Sequence, residues 1–188
     1  MQPRISIITI CYNAASTITR TLRSVSAQTY PNIQYLIIDG ASKDNTLELV
    51  RELAPEAEIY SERDKGIYDA MNKGLDRATG DYVWYVNAGD ALASPTTVED
   101  LVRATCTGDS LPDVLYGDTR LIDAEDHDLG LRRLRPPHQL DWRSFRSGML
   151  VCHQAFVAKR SISPHYDLRY RFSADVDWCI RVLKEAKT

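Results

Sequence analysis

Five aspartates are the residues of this chain best placed to do chemistry. Asp39, Asp64 and Asp90 stand where short apolar runs give way to turns, and Asp175 and Asp177 lie two residues apart near the C-terminus. Carboxylates grouped in this way have two tasks open to them. One holds a hard divalent cation through oxygen ligands beside a diphosphate, and another accepts a proton from an attacking hydroxyl. A single acid at a strand end more often caps the next turn or helix. Only convergence of several acids on one crevice favours the chemical reading, so the elements that carry them come next.

The first ninety residues repeat one unit: an apolar run, turn residues, then a helical segment. Ile5–Cys11 is apolar at nearly every position, as in a strand buried on both faces. The spacing predicts a helix over Ser16–Gln28, stopped by Tyr30-Pro31-Asn32, and a strand over Tyr35–Asp39. A helix over Asp44–Leu53, capped by Ser42 or Asp44, and a strand over Glu58–Ser61 follow. Ile67, Ala70, Met71, Gly74, Leu75 and Ala78 make one apolar helical face, and Asp81–Asn87 reads as a fourth strand. Strands alternating with helices imply a parallel sheet.

Beyond Pro95 the pattern changes. Thr96–Ala104 reads as a helix, Val114–Tyr116 as a strand, and Thr119–Ile122 with Leu129–Leu134 as a hairpin. Pro136–Gly148 reads as loop and short helix, Leu150–Ala158 as a last strand, and Ala174–Ala186 as a closing helix. Trp84 and Trp178 are expected in the core. The expected architecture is α/β: a Rossmann-like, mostly parallel sheet flanked by helices, with a mixed C-terminal part.

Composition narrows the classes. With 44% hydrophobic and 26% charged residues and a net charge of −3, the 188 residues suit one folded domain. No apolar run approaches the roughly 18 residues of a membrane span, and the N-terminus lacks the build of a signal peptide, so a cytoplasmic protein is expected. Cys11, Cys106, Cys152 and Cys179 show no paired spacing, and Cys11 and Cys179 read as core filler. Residues 1–130 hold 11 basic against 21 acidic side chains, whereas residues 131–188 hold 12 against 5. The basic end reads either as solvated surface or as a face toward an anionic partner. Nucleic acid is not expected, since the chain as a whole is acidic. The sequence contains no GxGxxG after its first strand and no GxxxxGK[ST], HExxH or GxSxG.

Four stretches in order resemble family 2 glycosyltransferases: Ile7-Ile8-Thr9-Ile10-Cys11-Tyr12-Asn13, Ile38-Asp39-Gly40-Ala41-Ser42-Lys43-Asp44-Asn45-Thr46, Glu62 to Gly74, and Val86-Asn87-Ala88-Gly89-Asp90. The resemblance spans about residues 4–183 and implies a GT-A fold, in one domain over 1–188. Residues 1–95 would form its nucleotide-sugar-binding half. Residues 96–188 would form an acceptor-side half, shortened at its C-terminal end.

It further implies an inverting transferase that moves a sugar from a UDP-linked donor to a saccharide or lipid-linked acceptor. Thr9, Tyr12, Asn13, Asp39, Ala41 and Ser42 would wall the nucleoside pocket. Asp64 and the helix after it, with Asn72, would lie along the nucleotide and sugar. Asn87, at the first DxD position, would bind the donor, and Asp90 resembles the last carboxylate of that motif and would take Mg2+ or Mn2+. Asp175 would be the catalytic base and Asp177 the alternative. His153, in a His-Gln pair, reads either as an interior histidine or as a site residue. A cytoplasmic enzyme with a lipid-linked acceptor implies peripheral contact with a membrane and no transmembrane segment.

The departures have consequences. Asn87 replaces an acid at the first DxD position, Gly89 replaces another, and Ala174 stands where an acid often precedes the base. A lowered metal affinity follows. Two rival readings are a nucleotidyltransferase and a non-catalytic nucleotide-binding module. The first would need a glycine-rich, basic loop where this chain has Asn13-Ala14-Ala15-Ser16-Thr17.

Overall fold

Every residue of the central strand β1 (Ile5–Cys11) is buried, because its successive side chains serve two hydrophobic layers. Ile5, Ile7 and Cys11 join the layer beneath helices α1 (Ile18–Ser26), α2 (Thr46–Leu53) and α4 (Thr97–Thr105). Ile8 and Ile10 join the layer beneath α3 (Ile67–Arg77) and α5 (Ala174–Glu185). The computed structural model describes residues 2–107 and 111–187.

The remaining strands are β2 (Ile33–Asp39), β3 (Glu58–Ser61), β4 (Tyr82–Tyr85), β5 (Val114–Tyr116), β6 (Arg120–Ile122), β7 (Asp128–Leu131) and β8 (Phe156–Lys159). Five of them form one six-stranded sheet with β1, in the order β3-β2-β1-β4-β8-β5, and β6 pairs with β7. β1 to β4 are parallel, and β8 runs antiparallel between β4 and β5. Chain order therefore reverses direction at β1, with β2 and β3 on one side and β4 on the other. Ligands of open α/β sheets bind at such a switch point, outside the carboxyl ends of the strands. The register puts Cys11 beside Asp39 and Asp39 beside Ser61, so these ends are level.

The expected elements of the first half are present within a few residues. Three expectations are corrected. A 3-10 turn occupies His153–Ala155, so the last strand starts at Phe156 and not at Leu150. Asn45 takes the N-cap position of α2 without a side-chain bond and Ser42 is drawn into the strand-end turn, while Asp44 accepts both from Ala15 N and from Thr46 N, the first amide of α2. The hairpin is shorter than expected and carries a bulge at Leu121/Ile122. In the 136–148 stretch a 3-10 helix, Trp142–Ser147, opens with a capping box from Asp141 and packs against α5.

Close approach of α3 to the sheet depends on Gly74, where a Cβ would lie 2.5 Å from Ile8 Cγ2. The segment after β8 is held to α3 by Asn72. Its Nδ2 donates to Tyr166 O at 3.0 Å, and its Oδ1 accepts from Tyr166 N at 2.7 Å.

Candidate active site

The ends of β1 and β2 are laced together by their turns. Asp39, fully buried, accepts from Ser42 N at 3.0 Å, from the Ser42 hydroxyl, and from Ser61 Oγ at 2.6 Å. The Cys11 thiol points to it at 3.7 Å, and burial followed by this carboxylate pushes the thiol far up. Cys11 packs in the core as expected, with its thiol turned to this carboxylate. Asn13 N donates to Ser42 Oγ at 2.8 Å, and Asn13 Oδ1 accepts from Lys43 N at 2.9 Å. Asn13 and Ala41 both sit in the left-handed region, at φ 47° and 64°, and this web of bonds holds them there.

Above this web Tyr12 and Asp64 come together over Gly40, marking a candidate slot. Gly40 forms its floor: a Cβ there would come within 2.6 Å of Asp64 Oδ2 and 3.2 Å of the Tyr12 ring. Asp64 accepts from Gly66 N at 2.9 Å through Oδ1, which leaves Oδ2 over Gly40. The Tyr12 ring is 60% exposed. An exposed aromatic face beside a fixed carboxylate can stack on a planar base and accept its N–H or a ribose hydroxyl. Thr9 stands behind the slot and not in it. Fully buried, it donates to Val86 O at 2.7 Å and ties β1 to the end of β4. Asn72, engaged at both ends by Tyr166, is likewise a strut.

The turn after β4 is held by Thr21 of α1. Its hydroxyl donates to Asp90 O at 2.6 Å and accepts from Gly89 N at 3.0 Å. Gly89 has φ 102°, which a side chain rarely adopts, so the turn favours glycine where the resemblance implied an acid. Asn87 Oδ1 is buried with no hydrogen-bond partner, an oxygen aimed at nothing in the protein. Asp90 is half-buried, not exposed as an acid in a turn would be. Burial pushes its carboxyl up, while Gln154 and the Arg20 charge act in the other direction. Gln154 Nε2 donates to Asp90 Oδ2 at 3.0 Å. Asp90 borders a cavity of about 880 Å³ between α4, the sheet edge and the β6–β7 hairpin.

Asp175 and Asp177 separate on α5. Asp177 Oδ2 accepts from Arg181 Nε at 2.7 Å, one turn along the same helix. Asp175 Oδ1 accepts instead from Tyr68 Oη of α3 at 3.2 Å. His153 is buried in an aromatic cluster with Tyr85, Tyr166 and Trp178, and its Nε2 bonds the Tyr166 hydroxyl at 2.7 Å. Burial pushes this imidazole down to about 4 against the pull of Asp175, so it stays neutral near pH 7. The interior reading of His153 therefore holds, in a core whose edge is Asp175.

Sequence reasoning missed Tyr68, Gln154, Thr21 and Arg20. Gln154 had a signal, its place in the His-Gln pair, and Tyr68 lies within the Glu62 to Gly74 stretch; Thr21 and Arg20 had none outside the fold. Among the described residues, Asp123, Glu125 and His127 form a carboxylate and imidazole group in the β6–β7 turn, on a different element from Asp90.

Residues 6–165 match the profile of Glycosyl transferase family 2. An uncharacterised glycosyltransferase of Mycobacterium tuberculosis is 33% identical over 186 residues, which cover 95% of this chain and 68% of that protein. A PGL/p-HBAD biosynthesis glycosyltransferase of Mycobacterium bovis BCG is 34% identical over 188 residues, covering 95% and 69%. The chain thus spans about two thirds of the length of these curated relatives. Among solved structures, Staphylococcus aureus TarS 1–349 in complex with UDP matches with a TM-score of 0.65 at 16% identity, over 98% of this chain and 56% of that one. The mannosyltransferase PcManGT of Pyrobaculum calidifontis, in complex with GDP-Man and Mn2+, matches with a TM-score of 0.54 at 27% identity, over 61% and 35%. The architecture is GT-A, and no helix among the described residues is long and apolar enough to cross a membrane. By its profile and its relatives, the chain belongs to Glycosyl transferase family 2, an enzyme family of glycosyltransferases.

Proposed function

We propose that this chain moves a sugar from a UDP-linked donor to a hydroxyl of a saccharide or lipid-linked acceptor, inverting the anomeric carbon. The observation that carries the reading is the link of two carboxylates to one dipeptide. Gln154 bonds Asp90, and His153, the residue before it, bonds the Tyr166 hydroxyl, whose ring stacks on Tyr68, the partner of Asp175. An acid suited to a cation and an acid suited to a proton are thus both tied to one short turn beside β4. TarS and PcManGT, solved with UDP and with GDP-Man and Mn2+, support a nucleotide ligand at such a fold.

In this reading the base stacks on Tyr12, with Asp64 accepting from the nucleoside. Asp175 takes the acceptor proton, the freed oxygen attacks the anomeric carbon, and the bond to the diphosphate breaks on the opposite face. General-base help of this kind is worth roughly 10²–10⁴-fold. The residues at the β4 turn fit a hard divalent cation: Asn87 Oδ1 is an unpartnered oxygen, and Gln154 engages only one oxygen of Asp90. Bound there, Mg2+ or Mn2+ would neutralise charge on the leaving diphosphate.

The nucleotidyltransferase reading loses support at the loop after β1. Ala14 N donates to Thr46 Oγ1 at 2.8 Å and Ala15 N to Asp44 Oδ2 at 3.0 Å, so these amides are not offered to a triphosphate.

Calorimetric titration with UDP and ADP, with and without Mn2+, followed by assay of UDP release from a panel of UDP-sugars, tests the proposal. Tighter binding of UDP than ADP, strengthened by Mn2+, is expected. Asp175→Asn should keep UDP binding and lose roughly 100-fold or more in turnover, whereas Asp177→Asn should lose little. A larger loss at Asp177 would move the role there. Binding of UDP with no turnover of any donor would favour a non-catalytic module.

A further inference from the structure

We infer that Tyr68 is a positioning residue for the Asp175 carboxylate, coupling the helix beside the nucleotide slot to the base. The inference rests on the reading of Asp175 as that base. Among the described residues, the Asp175 side chain has one hydrogen-bond partner, the Tyr68 hydroxyl, which donates to Oδ1 at 3.2 Å. Among the described residues its own helix gives it no side-chain partner: Ser173, at φ 61°, makes no side-chain cap, and Arg181 is engaged by Asp177. A base left to rotate about its χ angles spends little time in one attacking geometry, and a misplacement of about 1 Å can cost on the order of 100-fold.

The phenol that would hold it is itself fixed. The Tyr68 ring stacks on Tyr166 with centroids 5.7 Å apart, and Tyr166 stacks on Trp178 at 5.1 Å and 10°. Trp178 Nε1 donates to Pro164 O at 2.7 Å, and the Tyr166 main chain is clasped by Asn72. Three rings and four hydrogen bonds to this stack thus locate one hydroxyl. Burial and the Asp175 charge raise the Tyr68 phenol, so it keeps its proton and continues to donate. With Oδ1 occupied, Oδ2 is the oxygen left for an acceptor hydroxyl. The bond also links two distant elements. Tyr68 lies in the first turn of α3, just past Asp64 and Gly66, so the wall of the slot and the base share one strut.

The test variant is Tyr68→Phe, which keeps the ring and its stack and removes the hydroxyl. Turnover is read as UDP release, with water as acceptor, from the UDP-sugar that gives the largest thermal shift. A kcat roughly 10-fold lower is expected, with donor KM and melting temperature essentially unchanged. Adding Tyr68→Phe to Asp175→Asn should cost nothing further, because both act through one group. A lowered melting temperature with unchanged kcat would make the hydroxyl a support for the start of α5 and overturn the role. An additive loss in the double variant would overturn it too. Wild-type turnover in Asp175→Asn would overturn the base assignment itself, whereas loss at Asp175 without loss in Tyr68→Phe would remove Tyr68 alone. NMR couplings that report the Asp175 χ1 angle read the same point without turnover. One rotamer in the native chain and averaging in Tyr68→Phe are expected, and an unchanged rotamer would overturn the inference.

Discussion

Gln154 Nε2 lies 3.0 Å from Asp90 Oδ2 and joins the turn after β4 to the 3-10 turn before β8, across 64 residues of sequence. Its side-chain oxygen accepts from Cys152 Sγ at 2.8 Å, and its main-chain oxygen accepts from Trp84 Nε1 at 2.7 Å. The amide is thereby oriented with its N–H₂ toward Asp90. A neutral donor of this kind fixes a metal-binding carboxylate without competing with the cation for charge.

Gln154→Leu should therefore weaken Mn2+ binding by about 10-fold or more, the usual loss when such an outer partner is removed. UDP affinity in the presence of EDTA should be unchanged. Calorimetry of Mn2+ into the UDP complex measures the first, and UDP titration in EDTA the second.

Asp90→Asn should abolish the enhancement of UDP binding by Mn2+ while leaving the melting temperature equal or slightly higher. The sign follows from burial, which raises the Asp90 carboxyl and so disfavours its charged form in the fold. Retained Mn2+ enhancement in this variant would show that the cation sits elsewhere, and a melting temperature several degrees lower would show that the charge supports the turn.

Acid should destabilise the chain through His153. Burial pushes the folded imidazole from 6.5 down to about 4, so the unfolded state binds the proton first and stability falls as pH drops from about 6.5 toward 4. One group shifted this far contributes at most about 3 kcal/mol over that window. Thermal melts across pH 4–7 should show a shallower slope for His153→Gln than for the native chain. An equal slope would assign the acid sensitivity to other groups.

Two glycines should respond differently to alanine. At Gly40 the added methyl meets the end of the Asp64 side chain and the Tyr12 ring, so UDP affinity should fall several-fold with little loss of stability. At Gly74 it meets Ile8 in the packed layer under α3, so about 1–3 kcal/mol of stability should be lost. Urea unfolding and UDP titration of both variants separate the effects, and the reverse pattern would mean that the slot is misassigned.

Local patterning carried most of the fold. The alternation of Ile5–Cys11 with amphipathic helices is a property of neighbouring residues, so four parallel strands and their helices were legible in order. The acids at strand ends were legible for the same reason. One feature of the site was local yet passed over: Arg181 stands four residues after Asp177, a spacing that pairs charges on any helix and so leaves Asp175 the freer acid.

What only the tertiary structure decided are contacts whose partners lie far apart in the chain. Tyr68 reaches Asp175 over 107 residues, Asn72 reaches Tyr166 over 94, and Thr9 reaches Val86 over 77. Polar residues such as Thr9 and Asn72 could equally have lined the slot or braced its walls. Hydrophobic periodicity fixes which face of an element is buried, but it carries no information on which distant side chain meets a buried polar group. That choice is made when the sheet order places β1 between β2 and β4 and brings α3 and α5 onto the same face. Each buried polar group then needs a partner close at hand.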